Sequence, residues 1–296
     1  MKIALIGAGA VGAYLIWGFD QSKDIELSVI ADKARVEKIK NNGININSKT
    51  YFPDVMEASE AGIQDLIIIA TKSSGLSDAI GELEPMIGES TIVISLLNGV
   101  DSEQKIAAAI GWNHVEYALM RIASKRTEAG VVFNPDNTQG VFIGNSKLPQ
   151  EWKDILLASR VRVTFEDNIV QDIWIKYASN IANNLPQAVL GVDASLYIDS
   201  EHGYHLASKL WNEVYQVAKA KGIDVGENPC IFTVVPKTSK YSTLQDLEAK
   251  RHTEIDMFAG ELIKMANELG IEVPYAEYTY HAIKALEEKN DGIIGV

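Results

Sequence analysis

The stretch KIALIGAGAVGAYLI, residues 2–16, decides the fold of this chain. Apolar strand-forming residues lead into Gly7, Gly9 and Gly12, and the apolar residues that follow have helical spacing. Glycines between a strand and a helix permit a tight turn and a close approach of the backbone to a ligand, and the amides of the helix start favour a pyrophosphate. A glycine turn with a purely structural role is the alternative, but strand, turn and helix occur here together. The stretch therefore predicts a dinucleotide site made of Gly7, Ala8, Gly9, Ala10, Val11 and Gly12.

Strand patterns alternate with helical patterns through the first half of the chain. DLIIIAT and TIVISLLNG are rich in β-branched residues, and helical spacing precedes and follows them. Such alternation requires crossover connections, so it predicts a mostly parallel sheet covered on both faces. After residue 111 the strand patterns lie close together, in EYALMRIASKR, GVVFN and GVFIG. We expect these segments to extend the sheet in antiparallel fashion.

The second half of the chain is helical. Helical spacing of apolar residues covers the segments 169–190, 202–221, 242–269 and 275–289. The sequence thus predicts an α/β protein with two domains. Residues 1–167 form a Rossmann-like, doubly wound domain that binds a dinucleotide, and residues 168–296 form an all-helical domain that binds the substrate and supplies catalytic groups.

Composition excludes several classes of protein. Of the 296 residues, 47% are hydrophobic and 23% are charged, as in ordinary globular proteins. A net charge of −13 repels nucleic acids and anionic membranes, and no apolar run reaches the ~18 residues of a membrane span. The single cysteine, Cys230, excludes an internal disulfide and a cysteine-rich metal cluster, and no metal-binding spacing occurs elsewhere. We expect a soluble, cytoplasmic protein with a small-molecule substrate and no metal, whose long helices offer surfaces for a homodimer.

Polar residues follow the strands where an open parallel sheet binds its ligands. Asp32 lies 20 positions after Gly12, where an acidic residue accepts the ribose hydroxyls of NAD. The neighbouring Lys33 and Arg35 are cations that would suit the 2′-phosphate of NADP instead. Lys72 and Asn98 follow two further strands, and we expect both to contact cofactor or substrate.

The segment QDIWIKYASNIANNLPQ, residues 171–187, carries a polar stripe on an otherwise apolar helix. Lys176, Asn180 and Asn184 recur every four residues, and Asn183 lies beside them. Asparagine is a poor helix former and an unusual choice for a solvated helix face, where Glu, Lys, Arg and Gln predominate. A solvated face and a hydrogen-bonding role are both open from this helix alone.

A second informative helix begins near YSTLQDLEAKRHTEID. Ser242 and Gln245 have the spacing of a capping box, which places the helix start at Ser242. Glu254 falls at the margin of the apolar stripe and needs a partner there. Arg251, Lys176 and a substrate hydroxyl are the alternatives.

These motifs together resemble those of the ketopantoate reductase (2-dehydropantoate 2-reductase) family over nearly the whole chain. The matching segments are GAGAVG, ATKSSG with Lys72, LLNGV with Asn98, IWIKYASNIANNLPQA with Lys176, Asn180 and Asn184, and STLQDLEAKRHTEID with Ser242 and Glu254. The last two segments are much more specific than the glycine motif.

The resemblance implies a reaction and roles for the residues that match. The family reduces 2-dehydropantoate to (R)-pantoate with NADPH, on the route to pantothenate and coenzyme A. Lys176 would protonate the carbonyl oxygen, and Glu254 would hold the substrate hydroxyl. Asn180 and Asn184 would orient the substrate, Asn98 would bridge cofactor and substrate, and Ser242 would bind the carboxylate.

One departure and two alternatives accompany this resemblance. Where the family commonly has an arginine for the 2′-phosphate, this chain has Asp32, so either Lys33 or Arg35 takes over or the enzyme accepts NADH. The resemblance favours NADP(H). A related reductase of another small 2-oxo or 3-hydroxy acid is one alternative. A nicotinamide-binding sensor without turnover is the other, although a sensor has no need of the proton donor Lys176.

Overall fold

The computed structural model describes residues 1–127, 129–227 and 236–295. The chain divides into two compact units, Met1–Ile169 and Val170–Val296. Cys230, the single cysteine of the chain, lies outside the described residues.

The first unit contains all the strands of the described chain. They are β1 (Lys2–Ile6), β2 (Glu26–Ile30), β3 (Ile44–Ile46), β4 (Lys49–Tyr51), β5 (Asp54–Met56), β6 (Leu66–Ile69), β7 (Ile92–Ser95), β8 (Val115–Glu116), β9 (Ala118–Arg121), β10 (Ser124–Thr127), β11 (Gly130–Phe133), β12 (Gly140–Gly144) and β13 (Val163–Glu166). Within the described ranges six of them form a sheet in the order β5-β2-β1-β6-β7-β8, and every pairing is parallel. The strand order reverses between β1 and β6, which is the position where such sheets bind their ligands.

Helices connect these strands and cover both faces of the sheet. Those of the first unit are α1 (Ala10–Phe19), α2 (Lys33–Asn42), α3 (Ala58–Ala61), α4 (Leu76–Gly81), α5 (Ser102–Ile110) and α6 (Gln150–Leu157). Side chains alternate along β1, so Ile3 and Leu5 pack into the cluster that contains Leu15 of α1, and Ala4 and Ile6 pack into the cluster that contains Ile106 of α5. The predicted fold class, a Rossmann-like sheet followed by a helical region, is confirmed.

The strands after residue 111 differ from the expectation. Only β8 joins the main sheet, and it does so in parallel. The predicted strand EYALMRIASKR is interrupted at Tyr117 and at Ile122–Ala123, and its three parts enter three different sheets. In the same described residues, β9 pairs with β12 in the sheet β13-β12-β9, and β10 pairs with β11 in the sheet β10-β11-β3-β4. Alternation identifies a strand, but it does not determine which strand is its neighbour.

All the regular secondary structure in the described part of the second unit is helical. Its helices are α7 (Ile169–Leu190), α8 (Ser195–Asp199), α9 (Glu201–Ala220), α10 (Ser242–Glu248), α11 (Glu261–Leu269) and α12 (Pro274–Asn290). The predicted bounds 169–190 are confirmed, and α9 and α12 agree with the predicted segments to within one residue at each end. Helix α9 packs against α11 and α12.

The prediction of a single helix over residues 242–269 is wrong. Helix α10 ends at Glu248, and Lys250 adopts a left-handed backbone conformation with φ of 52°. The chain resumes with a π-helical turn, Asp256–Gly260, before α11. An ion pair between Arg251 and Asp246, with Nε and Oδ1 2.8 Å apart, stabilises the sharp turn, which the apolar spacing alone does not reveal.

Candidate cofactor and substrate sites

The glycine loop after β1 is packed too closely for any other residue at two positions. Gly7 has φ of +105°, and a Cβ atom there would lie 2.7 Å from the carbonyl group of Ala70 at the end of β6. A Cβ atom on Gly12 would lie 2.0 Å from the carbonyl oxygen of Gly7. The loop therefore lies against the neighbouring strand and the helix start, as a dinucleotide-binding turn requires.

Gly9 is different, because its missing side chain leaves open space. Apart from Gly9 and its two chain neighbours, no atom of the described residues lies within 4 Å of a Cβ atom built on Gly9. This residue precedes the first turn of α1 without a side-chain cap. The first amides of a helix have no partner within the helix, so they can bind an anion. Ala8, Ala10 and Val11 are half-buried and pack against the core below the loop. A phosphate group fits this arrangement.

The acidic residue after β2 already has a hydrogen-bond partner and an ion-pair partner within the protein. Asp32 caps α2 by accepting a hydrogen bond of 2.9 Å from the backbone amide of Arg35. Its other oxygen lies 3.4 Å from Nε of the same arginine. Asp32, Lys33 and Arg35 are all exposed at the carboxyl edge of the sheet. The carboxylate of Asp32 and the guanidinium of Arg35 therefore lie together at this edge.

Lys72 and Asn98 lie at the same edge of the sheet. Lys72 follows β6 and immediately precedes a short 3-10 helix, Ser73–Gly75. Asn98 follows β7, is half-buried, and precedes Gly99, whose φ is +96°. Because β1, β6 and β7 are adjacent parallel strands, their carboxyl ends bring these residues to the edge that carries the glycine loop.

In the second unit, the two faces of α7 have the predicted character. All six predicted apolar residues are buried: Ile173, Trp174, Tyr177, Ala178, Ile181 and Leu185. On the polar stripe, Lys176 and Asn180 are half-buried and Asn184 is buried. Four residues of helix rise about 6 Å, so the three side chains form a row along α7. Asn183 serves the helix itself, because its amide donates to the carbonyl of Ser179.

The structure joins two of the predicted substrate residues directly. The Nδ2 atom of Asn184 donates a hydrogen bond to Oγ of Ser242 across 3.4 Å. The predicted capping box is wrong, since Tyr241 is the residue before the helix and Ser242 is its first residue. Gln245 donates to the carbonyl of Lys240 instead of the Ser242 backbone. The Ser242 hydroxyl therefore faces α7 rather than its own helix.

Glu254 lies at the start of an unusual turn that is also bonded to α7. Its carbonyl accepts the amides of Met257 and Phe258, each at 3.1 Å, as the π-helical turn begins. The hydroxyl of Tyr177, on α7, donates to the carbonyl of Phe258 at 2.6 Å. Single π-helical turns occur frequently at functional sites. Both segments that carry predicted substrate residues are thus hydrogen-bonded to the helix that carries Lys176.

A buried carboxylate fixes the residue before Glu254. Oε1 of Glu287 accepts hydrogen bonds of 2.7 Å from both the amide and the hydroxyl of Thr253, and Lys284 lies 3.3 Å from Oε2. Burial raises the pKa of Glu287, but the bonds from Thr253 and Lys284 outweigh burial and hold the pKa below its usual value. Arg251 is paired with Asp246, and α12 holds Thr253, the residue before Glu254.

Sequence reasoning missed two residues that shape this site. Tyr177 appears only as a member of the apolar stripe, and Gln187 appears as the last polar residue of a helix. Gln187 lies three residues after Asn184 and therefore on the same face of α7, which is the one signal that was available. In the described part of the chain no cluster of three or more metal-ligating side chains occurs, and no helix there has the length and apolarity to cross a bilayer.

Comparison with known proteins identifies the families that this chain is similar to. Residues 3–147 match the family model of ketopantoate reductase PanE/ApbA, and residues 168–287 match that of its C-terminal part. An uncharacterized oxidoreductase, YkpB, from Bacillus subtilis is 26% identical over 97% of this chain and 99% of its own. A 2-dehydropantoate 2-reductase from Streptococcus pyogenes is 26% identical over 97% of this chain and 98% of its own.

Solved structures share the fold over the same extent. A PanE/ApbA family ketopantoate reductase from Ralstonia eutropha superposes with a TM-score of 0.85 at 24% identity, covering 98% of this chain and 100% of that one. D-mandelate dehydrogenase with NADH and anilino(oxo)acetate gives a TM-score of 0.85 at 24% identity, covering 98% and 99%. A ketopantoate reductase and a D-mandelate dehydrogenase therefore share this fold.

Proposed function

The chain belongs to the ketopantoate reductase family, and we propose on that premise that it reduces 2-dehydropantoate to (R)-pantoate, a step towards pantothenate, with a nicotinamide cofactor. The observation that carries the proposal is the hydrogen bond between Asn184 and Ser242. It links the helix bearing Lys176 to a second segment that matches the family.

The glycine loop supports cofactor binding. Gly7 and Gly12 are packed against backbone atoms, whereas Gly9 leaves room above the start of α1, where a pyrophosphate fits. The residues proposed to hold the cofactor are Gly7, Ala8, Gly9, Ala10, Val11, Gly12, Asp32, Lys33, Lys72 and Asn98. A bound nicotinamide would supply the hydride to the carbonyl carbon of the substrate.

Lys176 is the proposed proton donor. Reduction of a ketone develops negative charge on the carbonyl oxygen, and an ammonium group stabilises this charge before Nζ delivers a proton to the oxygen. Its half-buried position on α7 strengthens the electrostatic interaction relative to one in bulk water. The neighbouring asparagines are neutral, so they add hydrogen bonds without a charge that the lysine would have to balance.

Ser242, Asn180, Asn184 and Glu254 are the proposed substrate ligands. Oγ of Ser242 accepts the amide proton of Asn184, which leaves the serine hydroxyl proton for an acceptor such as the substrate carboxylate. Glu254 would accept a hydrogen bond from the substrate hydroxyl, and Asn180 would orient the carbonyl group. Asn98 would bridge cofactor and substrate.

The proposed cofactor is NADP(H), with NAD(H) as the alternative. Arg35 supports NADP(H) because a guanidinium binds a 2′-phosphate well. Asp32 supports NAD(H) because a carboxylate at this position accepts the ribose hydroxyls. Arg35 and Asp32 form an ion pair, so binding of a 2′-phosphate would require Arg35 to move away from Asp32.

A related reductase of another 2-oxo acid is the second candidate. The similarity to D-mandelate dehydrogenase favours it, since that enzyme shares the fold equally well. The test is turnover by the purified full chain of 2-dehydropantoate and of phenylglyoxylate, the oxidised form of mandelate, each with NADPH and with NADH. A kcat/KM for 2-dehydropantoate at least about tenfold higher supports the proposal, and a preference for phenylglyoxylate overturns it in favour of the second candidate.

A further inference from the structure

The side-chain amide of Gln187 binds the segment of residues 239–241, which precedes α10, through both its nitrogen and its oxygen. This residue is fully buried near the end of α7. Its Nε2 donates to the carbonyl of Ser239 at 3.1 Å, and its Oε1 accepts the backbone amide of Tyr241 at 2.7 Å. The side-chain amide thus pairs with alternate residues of the segment in the way that a neighbouring strand would.

Further backbone bonds hold the same segment. The amide of Ala194 donates to the carbonyl of Ser239 at 3.0 Å, and the amide of Ser195 donates to the carbonyl of Lys237 at 3.0 Å. Both donors precede or begin α8, next to the end of α7. The residue that follows this segment is Ser242, whose hydroxyl accepts a hydrogen bond from Asn184.

The position of Gln187 is itself fixed by an inserted hydroxyl. Pro186 interrupts the backbone bonding of α7, and the Tyr197 hydroxyl accepts the amide of Gln187 at 3.2 Å. The same hydroxyl donates to the carbonyl of Asn183, so it bridges two groups that would otherwise bond within the helix. The amide side chain of Gln187 therefore starts from a rigid backbone.

The chemistry of this contact selects a carboxamide. The carbonyl of Ser239 needs a donor, and the amide of Tyr241 needs an acceptor, at the two ends of one side chain. Glutamine offers both, whereas an ionised glutamate offers only acceptors and a lysine only donors. An apolar residue of similar length would leave the partly buried backbone amide of Tyr241 without this acceptor.

We propose that Gln187 is a positioning residue that sets the affinity of the enzyme for its 2-oxo acid by holding residues 239–241, and through them the Ser242 hydroxyl, against α7. This inference rests on the proposed function, because it assigns Ser242 to the substrate carboxylate. In this proposal Gln187 acts on substrate binding through Ser242.

The test is Gln187→Met, which keeps the length and removes both hydrogen bonds. We expect KM for the 2-oxo acid to rise about tenfold, with kcat within about threefold of wild type and the cofactor KM unchanged. The backbone amide of Tyr241, measured by NMR hydrogen exchange, should exchange at least about tenfold faster. Gln187→Glu keeps the acceptor for the Tyr241 amide and loses the donor for the Ser239 carbonyl. Its KM for the 2-oxo acid should therefore lie between that of wild type and that of Gln187→Met.

Gln171→Met is the matched control. Gln171 is on the same helix, and its Nε2 also bonds a backbone carbonyl, that of Asp224 at 2.7 Å. This variant should leave both the KM and the exchange of Tyr241 unchanged.

Two results would overturn the inference. Unchanged exchange at Tyr241 in Gln187→Met would show that the side chain does not hold the segment, and faster exchange with an unchanged KM would show that the held segment does not set affinity. Absence of turnover of any 2-oxo acid by the wild type is a separate result. It would refute the proposed function and the affinity claim together, while the exchange data would still decide whether Gln187 holds the segment.

Discussion

The side-chain amide of Asn184 donates a hydrogen bond to the hydroxyl of Ser242 across 3.4 Å. The two residues are 58 positions apart in the sequence, and each belongs to a different helix of the second unit. The bond gives the serine oxygen an amide donor, so the serine proton is directed to another acceptor. In the proposed function, this pair of neutral side chains would form one ligand group for an anionic substrate.

Coupling between these two residues is the first prediction. Asn184→Ala and Ser242→Ala should each raise KM for the 2-oxo acid by about tenfold, and the double variant should raise it by less than the product of the two. The measurement is a double-mutant cycle on kcat/KM. Asn183→Ala is the control, because Asn183 bonds the helix backbone and should alter stability rather than KM. Strict additivity would show that the two residues act independently.

Two glycines of the loop, Gly9 and Gly12, should respond differently to alanine. A methyl group on Gly12 would meet the Gly7 carbonyl, so Gly12→Ala should lower the free energy of unfolding by about 1–3 kcal/mol. A methyl group on Gly9 meets no described residue within 4 Å other than its chain neighbours, so Gly9→Ala should keep its stability and lose cofactor affinity. Urea unfolding and cofactor titration measure the two effects. Equal stability of the Gly12 and Gly9 variants would contradict this assignment.

Cofactor preference should change at Asp32. Asp32→Arg removes a carboxylate from the ribose position, so we expect the ratio of kcat/KM for NADPH to that for NADH to rise. The variant also loses the cap of α2, which costs about 0.5–2 kcal/mol of stability. Asp32→Asn keeps a capping side chain and removes only the charge, so it separates the two effects. A ratio that is unchanged in both variants would place Asp32 away from the ribose.

A buried acid in the first unit should make stability depend on pH. Burial of Glu103, at 3% exposure, raises its pKa from 4.5 to about 7, although bonds from its own amide and from Ser102 oppose the shift. Between these values the folded chain holds a proton that the unfolded chain has released, so stability decreases as pH rises through this window. The loss is roughly 3 kcal/mol at about 1.36 kcal/mol per pKa unit.

The check is urea unfolding of Glu103→Gln and wild type at pH 5 and pH 8. The variant should gain stability relative to wild type at pH 8 and not at pH 5. Glu151 is exposed, so Glu151→Gln serves as the control. Its free energy of unfolding should differ from that of wild type by the same amount at pH 5 and at pH 8. A Glu103 variant whose advantage does not grow with pH would mean that this carboxyl is ionised in the folded protein.

Local patterns in the sequence anticipate those parts of the fold whose physical cause is local. The glycines after β1 and the four-residue spacing of Lys176, Asn180 and Asn184 specify a turn and a helix face by geometry alone. The hairpin between β3 and β4 was missed, although Asn47 and Ser48 have the positive φ values, 49° and 65°, of a tight two-residue turn. Asparagine tolerates this conformation, but serine is a weak signal for it.

Other features depend on contacts between distant residues and could not be predicted in this way. Ser242 and Gln245 have capping-box spacing, yet the serine hydroxyl is used by Asn184 on another helix. The apolar stripe of residues 242–269 continues across a break that Lys250 makes with a left-handed backbone. Gln187 resembles a solvated residue at a helix end, and only its tertiary bonds reveal its burial.

The measurement that tests the central claim most directly is the turnover of Lys176→Ala with the preferred 2-oxo acid, together with its cofactor Kd. We predict that kcat falls by about 10²–10⁴-fold, because the proton donor is lost, while the cofactor Kd changes by less than about threefold. Lys209→Ala, an exposed lysine on α9, is the control and should keep full activity. A Lys176→Ala variant that retains kcat within about threefold of wild type would contradict the assignment of Lys176 as the general acid.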